Sequence, residues 1–252
     1  MSRGINGFEV DPNVGEKIAK DVQTFNETLK RLRDRRLPEI AIAGALRKSK
    51  MAWTIATYQQ PVLYRVVMLA SGCAANWNDR NILCSYLAAR AIIETATVFL
   101  LFESDLEELI EGEKLPEIDA LITNRNFSTR DEEMVNLHPD TKATNIQTFI
   151  EKLDKKFKKH DKDWNSWIGK HYGFLSERCH PNSFGQHQFF GARDKTTNVI
   201  KYSDWNDLEM HFGNIFAGAM IIQFVESAMD RLDVAILRVA ELQHRLSPVV
   251  ND

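Results

Sequence analysis

The stretch that decides the fold is "RNILCSYLAARAIIETATVFLLF", residues 80–102, in which apolar side chains occupy nearly every face of a helix. A helix that borders water keeps one polar face, so this pattern predicts a helix surrounded by other helices. Asp79 immediately precedes it and is a typical N-terminal capping residue. We therefore expect a central helix from about Asp79 to Phe102.

Amphipathic patterns on both sides of this stretch predict further helices. In residues 14–36, apolar side chains recur at three- and four-residue steps, and charges fill the opposite face. The same periodicity resumes at Ile146 and again in the apolar pattern that runs to about Leu246. Alternating strand and helix patterns are absent, so the sequence predicts an all-α multi-helix bundle, with residues 1–252 forming a single helical domain.

Two segments depart from helical periodicity. Residues 115–144 are rich in polar and turn-forming residues and contain Pro139, which predicts a polar connector within the domain. Residues 191–203 alternate and carry turn formers, which predicts a small hairpin or an ordered loop.

Composition narrows the class of protein. The formal net charge of −3 provides no basic excess of the kind that dedicated nucleic-acid-binding proteins carry. Three cysteines without a Cys-x-x-Cys pair argue against a disulfide framework and a cysteine zinc site. The longest apolar run, "AIIETATVFLLF", is short and contains Glu94, so we expect a cytoplasmic protein without membrane association.

The chemically richest stretch is "YGFLSERCHPNSFGQH", residues 172–187. Four-residue spacing places Tyr172, Ser176 and His180 along one stripe of a helix. Pro181 disfavours helical geometry for His180, so the helix should end there. The negative end of the helix dipole favours an imidazolium, which can act as a general acid or contact an anion. Alternatively, the three side chains simply close the helix end by hydrogen bonding.

A second polar feature is the pair Arg90 and Glu94, one helical turn apart in the apolar central stretch. Charges in such surroundings are costly unless they pair and find further hydrogen bonds. The pair therefore either locks the bundle or lines a wet cavity. We predict that Arg90, Glu94 and the stripe described above meet in one polar pocket.

Metal and cofactor sites are not predicted. His171, His180 and His187 lie nine and seven residues apart, which matches no compact ligand motif. The sequence also contains no glycine-rich dinucleotide fingerprint, phosphate-binding loop or His-Glu-x-x-His sequence. We expect no metal and no cofactor.

The two polar stretches resemble the signatures of a bacterial family of uncharacterised helical proteins. Members carry an Arg-x-x-x-Glu helix and a Tyr-x-x-Leu-Ser-Glu-x-x-His-Pro-Asn segment, and the resemblance covers roughly residues 63–185. The matching positions here are Arg90, Glu94, Tyr172, Leu175, Ser176, Glu177, His180, Pro181 and Asn182.

More loosely, the layout resembles the HEPN proteins of bacterial toxin and defence systems, many of which are dimeric, metal-independent ribonucleases with an Arg-x(4-6)-His motif. The chain departs from that motif at the candidate site, because one residue separates Arg178 from His180. Arg238 and His244 have an acceptable spacing.

Two functional hypotheses follow. In a metal-independent ribonuclease, His180 would transfer protons, with Ser176 and Tyr172 beside it, and Arg178 or Arg90 would stabilise phosphate charge. In a non-catalytic module, the pocket, with Arg90, Glu94 and Asn182, would bind a small anionic ligand or a protein partner. RNA is the expected partner of the ribonuclease, and the long C-terminal apolar pattern also suits a homodimer interface.

Overall fold

The computed structural model describes residues 6–9, 15–204 and 208–246. Within these ranges, eleven α-helices and one two-stranded sheet form. Their bounds are α1 Glu16–Asp34, α2 Ala45–Lys48, α3 Lys50–Asn78, α4 Ile82–Glu111, α5 Leu115–Phe127, α6 Glu132–Leu137, α7 Ile146–His160, α8 Trp167–Cys179, α9 His187–Phe190, β1 Gly191–Arg193, β2 Ile200–Tyr202, α10 Leu208–Ala219 and α11 Ile222–Leu246. The predicted all-α multi-helix bundle is confirmed.

Helix α1 matches the predicted N-terminal amphipathic helix within two residues at each end, and residue 14 lies outside the described residues. Its buried side chains include Val22, Phe25 and Leu29, which join one contiguous hydrophobic core shared with the longer helices. The three- and four-residue steps between these positions place them on one face, as the periodicity predicts.

Helix α4 is the central helix, and it is longer than predicted. Asn81 caps it by accepting a hydrogen bond from the Cys84 N–H at 3.3 Å, whereas Asp79 terminates α3. The helix continues past Phe102 because Leu106 and Ile110 stay buried while the acidic residues between them border solvent. The predicted cap and end were therefore wrong, although the central position was right.

Residues 115–144 are more ordered than the predicted polar connector. Leu115, Ile118 and Ile122 are buried, so α5 packs into the core through one apolar stripe. The two ends of the segment that follows α5 are joined, since the Thr129 N–H donates to the Thr141 carbonyl at 2.8 Å. Three apolar residues at three- and four-residue steps suffice to anchor a helix whose other faces are polar.

Residues 191–203 form the predicted small hairpin. Strands β1 and β2 pair antiparallel, with Gly191 opposite Tyr202 and Arg193 opposite Ile200. The Asp194 carboxylate accepts from the N–H groups of Thr196 and Thr197 in the turn. This side-chain bonding is typical of tight turns.

Two segments are long and apolar enough to cross a membrane by length and composition, namely Ile82–Glu111 and His211–Leu246. Half of each apolar window is buried inside the fold. A helix packed among other helices meets the same criteria, so these segments are weak evidence for a membrane. The absence of membrane association and the cytoplasmic location stay predictions.

Candidate functional site

The start of α8 is held by a buried carboxylate of α7. Asp154 is 8% exposed. It accepts hydrogen bonds from the Trp164 indole N–H at 2.7 Å and from the Gly169 backbone N–H at 2.9 Å. A buried carboxylate is tolerated when both oxygens are hydrogen-bonded, as they are here. This contact fixes α8 against α7 and thereby positions the polar residues that follow.

Helix α8 ends where Pro181 predicts, because the residue before a proline disfavours helical backbone angles. The helix stops at Cys179, and His180 adopts extended backbone angles, φ −85° and ψ 146°, immediately before Pro181. The Asn182 side-chain oxygen accepts from the Gly185 N–H at 2.9 Å and closes the turn. Gly185 is required because a β-carbon there would collide with the His180 carbonyl. Asn182 therefore shapes the turn that presents His180.

Arg90 lies at the centre of a half-buried cluster between α4 and α8. Its Nε donates to Glu94 Oε1 at 3.0 Å, and its Nη2 lies 3.4 Å from the Tyr172 hydroxyl. Burial works against the Arg90 charge, but Tyr172 and Glu94 outweigh it, so the pKa of Arg90 is raised. Burial also raises the pKa of the neighbouring Cys179 thiol, and Arg90 offsets part of that effect. The charge of Arg90 is thus matched within the chain.

Ser176 and His180 form an exposed pair one helical turn beyond Tyr172. Ser176 Oγ and His180 Nε2 are 3.5 Å apart, at the long limit of a hydrogen bond. The His180 side chain borders solvent. Within the described residues, no hydrogen bond or ion pair joins Arg90 to His180. The five residues of the predicted pocket therefore form two adjoining groups, one around Arg90 and one at the helix end.

Arg178 takes part in neither group. Its guanidinium carbon lies 3.4 Å from the centre of the Phe174 ring, and its Nη1 donates to the Phe174 carbonyl at 3.2 Å. Asn182 donates to Glu177 Oε2 at 2.6 Å, in addition to closing the turn. The guanidinium of Arg178 is consequently stacked on Phe174 instead of contacting the His180 imidazole.

A groove of about 560 Å³ runs between α4, α7 and α11. Charges along it are paired across the helices, Arg231 with Glu103, Arg238 with Glu107 and Lys156 with Glu108. Arg238, the first residue of the Arg-x(4-6)-His match, is therefore committed to an ion pair. Lys156 is one of the four lysines between residues 155 and 159 at the end of α7, so part of that positive charge is also neutralised.

A smaller cavity of about 310 Å³ is lined by α3, α4, α5 and the segment that leads into α7. Arg65, Arg125 and Arg130 line it, and so does Glu94, which connects it to the Arg90 cluster. These arginines were not predicted as site residues, because two of them lie in the segment predicted as a connector. A usable signal was present, since Arg125 follows Ile122 at the next step of the buried stripe of α5.

Metal ligands do not cluster in the part of the chain that the structure describes, where no group of three or more histidine, cysteine, aspartate or glutamate side chains could hold an ion. Comparison of the chain with protein-family models, curated proteins and solved structures finds no match. The resemblance to the bacterial helical family and to HEPN proteins stays a prediction that depends on the motif residues.

Proposed function

We propose that the protein is a non-catalytic module that binds a small anionic ligand at the junction of α4 and α8. The observation that carries this proposal is the exposed His180 imidazole within 3.5 Å of Ser176, on the same stripe as Tyr172. An imidazole N–H and a hydroxyl at a helix end can both donate to a phosphate or carboxylate oxygen. Arg90, which is paired with Glu94, contacts Tyr172 and so braces the turn of α8 that precedes these groups.

The geometry favours binding over RNA cleavage. A metal-independent ribonuclease needs a proton-transfer group and an arginine that is free to contact the phosphate and stabilise the charge that develops on it. Arg90 is engaged by Glu94 and Tyr172, and Arg178 is stacked on Phe174. Bacterial defence or toxin activity, RNA binding and a homodimer are further implications of the HEPN resemblance that stay predictions.

The test combines a titration with a cleavage assay. Inorganic phosphate is added to the protein at constant ionic strength while NMR follows the histidine ring resonances, and chelator-treated protein is incubated with mixed RNA. We expect phosphate to shift the His180 resonances, and we expect His180→Ala to weaken phosphate binding about tenfold when binding is measured by calorimetry, the scale of a lost hydrogen bond to an anion. His160→Ala is the matched control, because His160 is also exposed and ends helix α7.

Two results would overturn the proposal. Phosphate that leaves the His180 resonances unchanged would exclude an anion site at the end of α8. Chelator-resistant RNA cleavage that falls by roughly 10² in His180→Ala would instead establish the ribonuclease, since that is the usual contribution of general acid–base catalysis.

A further inference from the structure

Arg125 is almost fully buried but makes few contacts with acceptors. Its side chain is 9% exposed, and its Nη1 donates to Asn124 Oδ1 at 2.9 Å. The nearest carboxylate oxygen, Asp105 Oδ2, lies 4.0 Å from Nη2. The Nε atom is buried and has no hydrogen-bond partner in the described structure. A guanidinium carries five N–H donors, so most of this group's hydrogen-bonding capacity is unused.

The charge of Arg125 is also poorly compensated. Asp105 is shared with Lys156, whose ammonium is much closer, at 2.7 Å. The Phe149 ring, with its centre 4.7 Å from the guanidinium carbon, provides a cation–π contact. Burial lowers the pKa of Arg125, and attraction from Tyr58 and Asp105 offsets only part of that effect. Buried charges in proteins are normally paired, so this arrangement needs an explanation.

The cavity beside Arg125 has the character of a ligand site. Arg65 and Arg130 lie at its exposed rim, and the Arg65 orientation is set by a 3.0 Å hydrogen bond from its Nε to Thr95 Oγ1. The aromatic rings of Tyr58 and Phe149 form part of the cavity wall. The volume of about 310 Å³ lies at the lower end of the range for small-molecule pockets. Glu94, the acidic residue in the lining, is already paired with Arg90.

We propose that this cavity binds a small organic anion, with its phosphate or carboxylate group held by Arg125. Arg65 and Arg130 would hold the outer oxygens, and the apolar body of the ligand would pack against Tyr58 and Phe149. A guanidinium binds either anionic group through charge-assisted hydrogen bonds, which here would come from the Nη atoms, since Nε itself is buried. The site uses residues other than Ser176 and His180, so it stands independently of the function proposed for the end of α8.

Calorimetry and thermal unfolding test this site with defined probes. Phenyl phosphate and benzoate present the two anionic groups on an aromatic body, inorganic phosphate presents the group alone, and phenol is the neutral control. We expect at least one of the two aromatic anions to bind and, well above its Kd, to raise the Tm by roughly 5 °C. Phenol should leave the Tm unchanged.

Variants assign the binding to Arg125. Arg125→Met should remain folded and bind at least about tenfold more weakly, the scale of a lost charge-assisted contact. Arg193→Met, on the exposed strand β1, should bind like the parent. If Arg125→Met fails to fold, Arg125→Lys replaces it. Lysine keeps the positive charge but cannot form bidentate hydrogen bonds, so the anion should bind to this variant with the same loss of affinity.

The proposal is overturned if neither aromatic anion binds, or if the folded Arg125 variant binds as tightly as the parent. His180→Ala separates this site from the end of α8, because it should bind phenyl phosphate at the cavity with the parent's affinity. Loss of that binding in His180→Ala together with full retention in the Arg125 variant would place the anion at α8 and refute the cavity site.

Discussion

Arg90 and Arg125 are two arginines in the same bundle with opposite environments. Arg90 is about one quarter exposed and has a carboxylate and a hydroxyl as partners within its own chain. Arg125 is more deeply buried and has one ordinary hydrogen bond. A matched charge stabilises the structure that holds it, whereas an unmatched buried charge is a cost that a bound anion can remove. The difference separates a structural lock from a candidate ligand site.

The largest effect on stability is expected at Asp154, a buried charge with both oxygens hydrogen-bonded. Asp154→Ala should lower the free energy of unfolding by about 3 kcal/mol, because it leaves two partly buried N–H groups without acceptors. Asp154→Asn keeps one acceptor oxygen and should cost about half as much. Urea denaturation measures both, and a loss below about 0.5 kcal/mol in Asp154→Ala would show that satisfied buried charges matter little here.

A smaller effect is expected at Arg90, where the ion pair is partly exposed. Arg90→Met should lower the free energy of unfolding by about 1 kcal/mol, through loss of the contacts with Glu94 and Tyr172. A double-mutant cycle with Glu94→Gln should give a coupling energy of about 0.5 kcal/mol. Zero coupling in that cycle would show that Glu94 does not hold the guanidinium that contacts Tyr172 on α8.

Arg125→Met should differ from the Asp154 and Arg90 variants, because it is expected to leave the free energy of unfolding nearly unchanged or to raise it. Without added anion, the variant should lose less than about 0.5 kcal/mol of stability, or gain some, because removal of an uncompensated buried charge offsets the lost contacts with Phe149 and Asn124. The measurement is the same urea denaturation, in a buffer free of phosphate and carboxylate. A loss as large as that of Asp154→Ala would mean that Arg125 is already satisfied by the protein.

The smallest effect is expected at Ser176. Ser176→Ala should change the free energy of unfolding by less than about 0.3 kcal/mol, because the contact with His180 is long and close to solvent. A larger loss would place Ser176 with the structural residues, as in the alternative interpretation of the helix end. Tyr172→Phe is the useful companion variant, since it removes the hydroxyl that contacts Arg90 and keeps the buried ring.

Local patterns explain how much of this architecture could be predicted from the sequence. The central helix, the pairing of Arg90 with Glu94 and the helix end at His180 all depend on residues within a few positions of one another. The cap at Asn81 was missed because two capping residues, Asp79 and Asn81, precede the same helix.

The arginine cavity could not be predicted in the same way. Arg65, Arg125 and Arg130 come from different elements, and only the packing of α5 onto α3 and α4 brings them to one space. Burial of Arg125 follows from the apolar stripe of α5. Its lack of a close carboxylate partner follows from Lys156, about thirty residues further along, which pairs with Asp105 at 2.7 Å. Long-range competition of this kind leaves no periodic signal.

The most direct test of the contrast between the two arginines is a crystal structure of the protein with 4-bromophenyl phosphate, whose bromine is located by its anomalous signal. We predict phosphate oxygens about 3 Å from the Arg125 guanidinium nitrogens, with the bromophenyl ring against Tyr58 and Phe149 and the Arg90–Glu94 pair unchanged. A cavity that contains only water, with water molecules hydrogen-bonded to the Arg125 guanidinium, would contradict the assignment of this arginine as a ligand-binding residue.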